Sequence, residues 1–536
     1  MNILNRAFLC NKQHNYATLP EKVLQFGEGN FLRAFFDVFV DELNEKGHFG
    51  GSIVIVQPIP EGMASAINAQ EGCYTVVLRG LESAAGTQGN NLLEDTLPVI
   101  SKASSSVARK RIISSISRAI DPYANFDIYM AALENPHLRF IVSNTTEAGI
   151  SYAGTDKLND RPPASFPGKV TALLYERYKL FNGDPSKGFI FMPCELIDNN
   201  GDTLKEIVLR HAANWQLPQG FINWVHEANY FTNTLVDRIV SGYPKDDIGR
   251  LESELGYRDN LLVTGELFHF FAIEGSREIL QEISEVMPFH KTEHNVVLVD
   301  DISSYKLRKV RILNGTHTMS ALAAILSGKS TVYEMMGDSL FAEYIRKGLF
   351  QEIIPALDFH FYSQDLEYES GSFTPSSQEI FKIEESLPSF AAAVLDRFAN
   401  PYIKHNLSSI ALNSVSKFKV RILPTIIDYH KNTGQLPQLL TFSFAALLAF
   451  YLCQRESEIV DVDEVLTFFR AWRKPVCVAD MPCKVGDISD MVKDTCAQDT
   501  FWGMDLNQLP GFYTNVMDYL YDILENGVVQ AIGKLI

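Results

Sequence analysis

The run Lys306-Leu307-Arg308-Lys309-Val310-Arg311-Ile312-Leu313-Asn314-Gly315-Thr316-His317 gathers an amine, an amide and an imidazole within about three turns of helix. Apolar residues at Leu307, Val310, Ile312, Leu313 and Met319 permit an α-helix here. At roughly 100° per residue, Lys306, Lys309, Leu313, Asn314 and His317 then share an arc of about 140°. A lysine that is partly desolvated beside other cations has its ammonium form disfavoured, so it can take a proton from an alcohol. Asn314 can donate its amide to an oxygen that gains negative charge, and His317 can orient that same oxygen. Charge alone would describe an ordinary solvated basic face, with His317 a hydrogen-bonded core residue.

The elements that must position these groups alternate between strand and helix in the first half of the chain. Val23-Leu24-Gln25-Phe26 is a buried-strand pattern that runs into Gly27-Glu28-Gly29-Asn30-Phe31-Leu32-Arg33, whose end is helix-like. A glycine pair between strand and helix lets backbone approach a pyrophosphate at the helix N-terminus. The third glycine of the usual fingerprint is replaced by Leu32. On the bare residues, a glycine turn without a ligand is an equal alternative.

A second strand is expected at Ser52–Val56, and the loop after it, from Gln57 to Gly62, is where a dinucleotide fold reads the adenosine ribose. That loop holds no arginine or lysine for a 2′-phosphate, which favours NAD over NADP. Tyr74 to Gly80 reads as a strand, and Ser104 to Ile120 as a helix with a basic face at Arg109, Lys110 and Arg111. Leu138 to Ser143 delivers Asn144, Thr145, Thr146 and Glu147 to a strand end, where doubly wound sheets bind ligands. After a helix from Lys169 to Leu180, the strand Gly188 to Met192 leads into Pro193-Cys194-Glu195-Leu196-Ile197-Asp198-Asn199-Asn200-Gly201. Glu266 to Gly275 is the last strand-like passage.

From Ser276 onward helical periodicity takes over, with helices expected at 310–326, 333–354, 386–399, 416–429, 436–454 and 462–471. The expected architecture is an α/β Rossmann-like dinucleotide-binding domain over residues 1–275, followed by a mainly α-helical substrate-binding domain over 276–536. No repeat period is visible, so the second half reads as a bundle.

Composition narrows the classes of function. The apolar share of 46% and charged share of 21% are those of a soluble globular chain of 536 residues. A formal net charge of −18 argues against nucleic acid or anionic membrane as partner. The N-terminus carries Arg6 inside its only apolar patch and lacks the pattern of a secretion signal. The apolar run from Leu439 to Cys453 falls short of the ~20 residues that span a bilayer. Seven cysteines without a close pair suggest reduced thiols in the cytoplasm, and no metal site.

Several segments, in chain order, resemble the polyol-specific long-chain dehydrogenase family. They are Gly27-x-Gly29-x-Phe31-x-Arg33-Ala34, the Cys194 to Gly201 turn, Val236-Asp237-Arg238-Ile239, the Lys309, Asn314 and His317 constellation, Asp396-Arg397, and Ser414 to Lys417. The resemblance implies that Lys309 is the general base, that Asn314 helps form an oxyanion hole, and that His317 binds substrate. It further implies cofactor contacts from Phe26, Gly27, Glu28, Gly29, Asn30, Phe31, Arg33, Gln57, Asn144, Thr146 and Glu147.

Relatives carry Cys-Asp-Asn where this chain has Cys194-Glu195-Leu196, so the second oxyanion donor is left to Asn199 or Asn200, or is dispensed with. Lys306 stands where polyol-specific members have a glutamate, which suits a substrate carboxylate and the sugar-acid branch. Arg397 is the other substrate-binding candidate, because a planar guanidinium holds a carboxylate or hydroxyls in fixed geometry. The implied activity is metal-independent hydride transfer between NAD(H) and a hexuronate. A polyol dehydrogenase, or a dinucleotide-binding sensor without turnover, is the alternative. A homo-oligomer is left open.

Overall fold

The computed structural model describes residues 1–10, 19–82, 105–146, 148–357, 386–476 and 485–536. It divides into two compact units, one built from Met1–Gly80 and Ser106–Ser303, the other mainly from Ser304 onward.

The strands of the first unit are β1 (Glu21–Phe26), β2 (Ser52–Val56), β3 (Tyr74–Glu82), β4 (Ser105–Ile113), β5 (Ile116–Ile120), β6 (Phe140–Ser143), β7 (Ile190–Pro193), β8 (Tyr230–Phe231), β9 (Asn233–Asp237), β10 (Val240–Gly242), β11 (Val263–Glu266), β12 (Phe270–Glu274) and β13 (Val296–Val299). Six of them form a parallel sheet in the order β5-β2-β1-β6-β7-β8. Counted along the chain, that is the 3-2-1-4-5-6 order of the doubly wound dinucleotide fold, and its switch point lies between β1 and β6. β2 reads Ser-Ile-Val-Ile-Val because both its faces are covered, and all of its residues are buried.

On one face, Val23, Ile53, Ile55, Phe140 and Val142 pack with Phe36, Phe39 and Leu43 of the helix Phe36–Glu45. On the other, Leu24, Phe26, Val54 and Ile141 pack with Val170 and Leu173 of the helix Phe166–Leu180 and with Leu204 and Val208 of Asn200–Asn214. Two smaller sheets, β10-β11-β3-β4 and β13-β12-β9, complete the unit.

Two expectations from the sequence are corrected here. Of the helix expected from Ser104 to Ile120, Ser104 lies outside the described residues and the rest forms the strands β4 and β5, the second pairing in parallel with β2 at the sheet edge. Its β-branched residues Val107, Ile112, Ile113 and Ile116 favour a pleated surface. Its cations meet acidic partners, Lys110 Nζ lying 2.7 Å from Glu254 and Arg111 Nη1 3.0 Å from Asp41. The first unit also runs past 275 to Ser303. The helix Arg277–Val286 buries Ile279, Leu280 and Ile283 in the first unit's core, and β13 pairs in parallel with β12.

The described part of the second unit is helical, and its longest helix, Gln438–Cys453, is buried over nearly its whole length. Three of the long helices expected are interrupted. The segment 333–354 divides into Val332–Met336, Ser339–Lys347 with Asp338 as cap, and a π-helix at Gly348–Ile353. The segment 416–429 divides into Ser414–Arg421 and Leu423–Thr433, where Pro424 opens the new first turn. The third interruption lies in the helix of Lys309. Among the described residues no helix is long and apolar enough to cross a membrane.

Candidate active site

In the first unit the C-terminal ends of β1 and β6 meet directly. Asn144 N donates to Phe26 O at 3.0 Å, and Gly27 N to Val56 O at 3.2 Å. Gly27 has φ +122°, and a Cβ there would stand 2.9 Å from Asn144 O, so both conformation and closeness require glycine. Gly29 and Asn30 are exposed, and a Cβ on Gly29 would meet no atom within 4 Å. This open backbone begins a single helical turn, Asn30–Arg33, before the chain bends into the longer helix.

Several predicted cofactor residues prove to build this turn from behind. Phe26 packs its ring on Phe166 (5.1 Å between centroids) and Phe31 stacks on Phe35 (4.8 Å). Arg33, expected to touch the cofactor, is 1% exposed. Its guanidinium donates to Glu28 O (3.1 Å), to Asn30 Oδ1 (2.7 Å) and to Leu261 O. It braces the glycine turn against the domain body, because a buried guanidinium needs acceptors more than it can offer donors outward. Gln57 likewise turns inward, donating to Ile59 O (2.9 Å) and Pro60 O (3.0 Å).

The loop after β6 is set by a carboxylate that the sequence did not single out. Glu195, buried at the end of β7, accepts from Ser143 Oγ (3.0 Å), Thr145 N (2.9 Å) and Thr145 Oγ1 (2.9 Å). Burial pushes its carboxyl up, and these bonds pull it back. Asn144 Nδ2 donates to Cys194 O at 2.7 Å. Exposed Thr146 has φ +75°, an uncommon conformation for a β-branched residue. Glu147 lies outside the described residues.

Asn200 is not available to a substrate. It is 1% exposed. Its Nδ2 donates to Pro193 O (2.9 Å) and Glu195 O (3.1 Å), and its Oδ1 accepts from Thr234 N (2.9 Å) and Gly201 N (3.0 Å). It ties β7 to β9. Leu196, by contrast, is 59% exposed, and Asn199 opens the following helix in the left-handed region at φ +50°.

In the second unit the predicted continuous helix is interrupted where the chemistry is concentrated. Ser303–Arg308 and Gly315–Leu326 are α-helical, but Lys309–Asn314 is a π-helix. Five residues of α-helix would leave Lys309 and Asn314 about 140° apart, whereas the wider i→i+5 winding brings them nearer to one face. His317 follows Asn314 after a further three α-helical residues, so amine, amide and imidazole line up more closely than a regular helix permits. Lys306, Lys309 and Asn314 are half-buried.

His317 is buried, stacked on Phe398 at 4.1 Å between ring centroids and set edge-on to His405 at 5.0 Å. Its Nε2 has no hydrogen-bond partner among the described residues. Burial, and then His405, Arg397, Arg421 and Lys417, hold the imidazole well below the ordinary histidine value, so it is neutral at pH 7. The charged groups acting most strongly on it are thus all basic. Arg397, on the helix Leu387–Phe398, is buried, and desolvation lowers both Lys417 and Arg421. Arg397 was expected from the sequence. Phe398 stands beside it in the segment Asp396 to Pro401, which resembles the family's; His405 and Arg421 were not expected, since nothing in their local spacing marks them.

One unit with a parallel sheet and a glycine turn at its switch point, and a second, helical unit carrying lysine, asparagine and neutral histidine, are the parts of a dehydrogenase built from a Rossmann domain and a helical domain. The chain belongs to the mannitol dehydrogenase family: residues 21–284 match the mannitol dehydrogenase Rossmann domain and residues 301–524 the mannitol dehydrogenase C-terminal domain. It is 40% identical over 535 residues to altronate oxidoreductase of Yersinia enterocolitica, covering 99% of each chain. It is equally 40% identical over 535 residues to the altronate oxidoreductases of Escherichia coli O7:K1 and Shigella flexneri. Among solved structures it resembles Pseudomonas fluorescens mannitol 2-dehydrogenase in ternary complex with NAD and D-mannitol (TM-score 0.65, 20% identity, 99% of each chain). It also resembles substrate-free D-sorbitol dehydrogenase (TM-score 0.71, 19% identity, 99% of this chain and 100% of that one).

Proposed function

We propose that the protein is an NAD-dependent oxidoreductase that interconverts D-tagaturonate and D-altronate in the cytoplasm. The full-length likeness to altronate oxidoreductases supports the reaction, and the basic surroundings of His317 carry the choice of substrate. Arg397, Lys417 and Arg421 suit a carboxylate that a neutral polyol lacks.

The open backbone at Gly29, the tight Gly27 turn and the loop after β6 fit a dinucleotide: a pyrophosphate at the exposed amides, the nicotinamide end toward Asn144 and Thr146. NAD, when bound, supplies the hydride acceptor. Lys309 takes the proton from the substrate hydroxyl during oxidation and returns it to the oxygen during reduction. Asn314 donates its amide to that oxygen as negative charge develops on it. His317, neutral and with no partner at Nε2 among the described residues, holds a substrate hydroxyl.

The test is a spectrophotometric NADH assay with tagaturonate, fructuronate and fructose. The expected order is tagaturonate first, with fructose slow or inert. Preference for an uncharged ketose would overturn the substrate reading. NADH binding without turnover of any of the three would overturn the enzyme reading.

A further inference from the structure

In dinucleotide folds the residue closing the second strand is commonly acidic and holds the adenosine ribose. Here that residue is Gln57, and its side chain is committed to its own turn: Nε2 donates to Ile59 O and Pro60 O, and Oε1 accepts from Ala64 N at 3.3 Å. The acidic group beside the turn comes instead from the glycine loop. Glu28 is 6% exposed, and its Oε1 accepts from Met63 N at 3.1 Å. The turn folds so closely over this carboxylate that a Cβ on Gly62 would stand 2.0 Å from Glu28 Oε1 and 2.4 Å from Gln57 Cδ.

The second oxygen, Glu28 Oε2, is buried and has no hydrogen-bond partner among the described residues. A buried carboxylate oxygen left without a donor is costly, which points to a donor supplied from outside the chain. Burial pushes the Glu28 carboxyl up, and Asp121, the residue after β5, adds to that through its own negative charge. Arg33, whose charge acts on Glu28, directs its guanidinium at the Glu28 carbonyl, Leu261 O and Asn30 Oδ1.

We propose that Glu28, taking over from the missing strand-end acid, accepts the hydrogen bond of the adenosine ribose hydroxyl at Oε2, and that Glu28 and Asp121 together exclude the 2′-phosphate of NADP. This rests on the cofactor reading above. A phosphate placed against two carboxylates meets like charge in a partly desolvated site, with no lysine or arginine from Gln57 to Met63 to offset it.

The experiment is a binding titration, read by calorimetry with no substrate present, of NADH, NADPH and 2′-deoxy-NADH against the full-length wild type, Glu28→Ala and Glu28→Gln. Wild type is expected to bind NADH more tightly than either analogue. Glu28→Ala should weaken NADH by roughly ten- to a hundredfold, the span of one hydrogen bond to a charged acceptor. It should also abolish the wild-type penalty for 2′-deoxy-NADH. Glu28→Gln, which keeps the bond from Met63 N, should narrow the gap between NADH and NADPH, and it carries the test should the alanine variant fail to fold. If wild type binds NADH while both variants keep its affinity and its preference over NADPH, this inference falls and the cofactor reading stands. If wild type binds no dinucleotide, both fall.

Discussion

Replacing Asn200 by alanine separates a residue that holds the fold from one that holds substrate. In the folded protein Pro193 O keeps a second donor, Thr234 Oγ1, and Glu195 O keeps Ile197 N. Gly201 N keeps Asn233 Oδ1 at 3.1 Å. Thr234 N loses the Asn200 Oδ1 acceptor and remains buried. One orphaned buried N–H costs roughly 1–3 kcal/mol, and the weakened bonds to the other groups add roughly 1–2 kcal/mol. The variant should therefore lose about 3 kcal/mol, which lowers Tm by roughly 6–12 °C for a domain of this size. Urea unfolding followed by tryptophan fluorescence should show a lower midpoint with unchanged slope, while KM for the hexuronate in the folded fraction stays near wild type. Unchanged stability together with a tenfold rise in KM would refute the reasoning and return Asn200 to the substrate.

Lys309→Ala should lower kcat by roughly 10²–10⁴ while leaving NADH affinity intact, and near wild-type reduction of tagaturonate would remove Lys309 as the acid/base. Gly27→Ala forces a side chain into φ +122° at 2.9 Å from Asn144 O, so it should cost roughly 1–3 kcal/mol and weaken NADH in a fluorescence titration. Arg397→Gln should raise KM for the hexuronate by roughly tenfold or more with little effect on an uncharged ketose, the loss of one charge-assisted contact; equal effects on both would detach Arg397 from the carboxylate.

Stability should also fall as pH rises from about 4 to 7. Burial pushes Asp37 and Glu352 up to about 7 from ordinary values of 3.8 and 4.5. The native state therefore holds protons that the unfolded chain releases, and the stability is present below the unfolded pKa and lost as pH passes through the folded one. The two groups carry on the order of 4 and 3 kcal/mol respectively, and urea midpoints of Asp37→Asn and Glu352→Gln that kept the wild-type pH slope would exclude them as its source.

Much of the fold was legible because its strongest signals are local. The β1 pattern, the glycine pair, the continuous β-branched run of β2 and the apolar run from Leu439 to Cys453 each report burial through residue type alone. Ser104 to Ile120 was misread because three adjacent cations suggested a helix face, whereas their partners Asp41 and Glu254 are distant in sequence. The domain boundary was placed early because β13 is only four residues long and pairs with a strand more than twenty positions before it.

The site divides in the same way. Residue order fixed which groups Lys309, Asn314 and His317 are, and where the glycines fall, because side-chain identity and spacing belong to the chain. Only tertiary structure decided what each group can do. The π-turn brought Lys309 and Asn314 nearer to one face, burial beside basic groups made His317 neutral, and the turn of Gln57 left Glu28 as the acid beside the glycine loop. Helix winding, desolvation and hydrogen-bond commitment depend on neighbours brought together by folding, and no single stretch of sequence contains them.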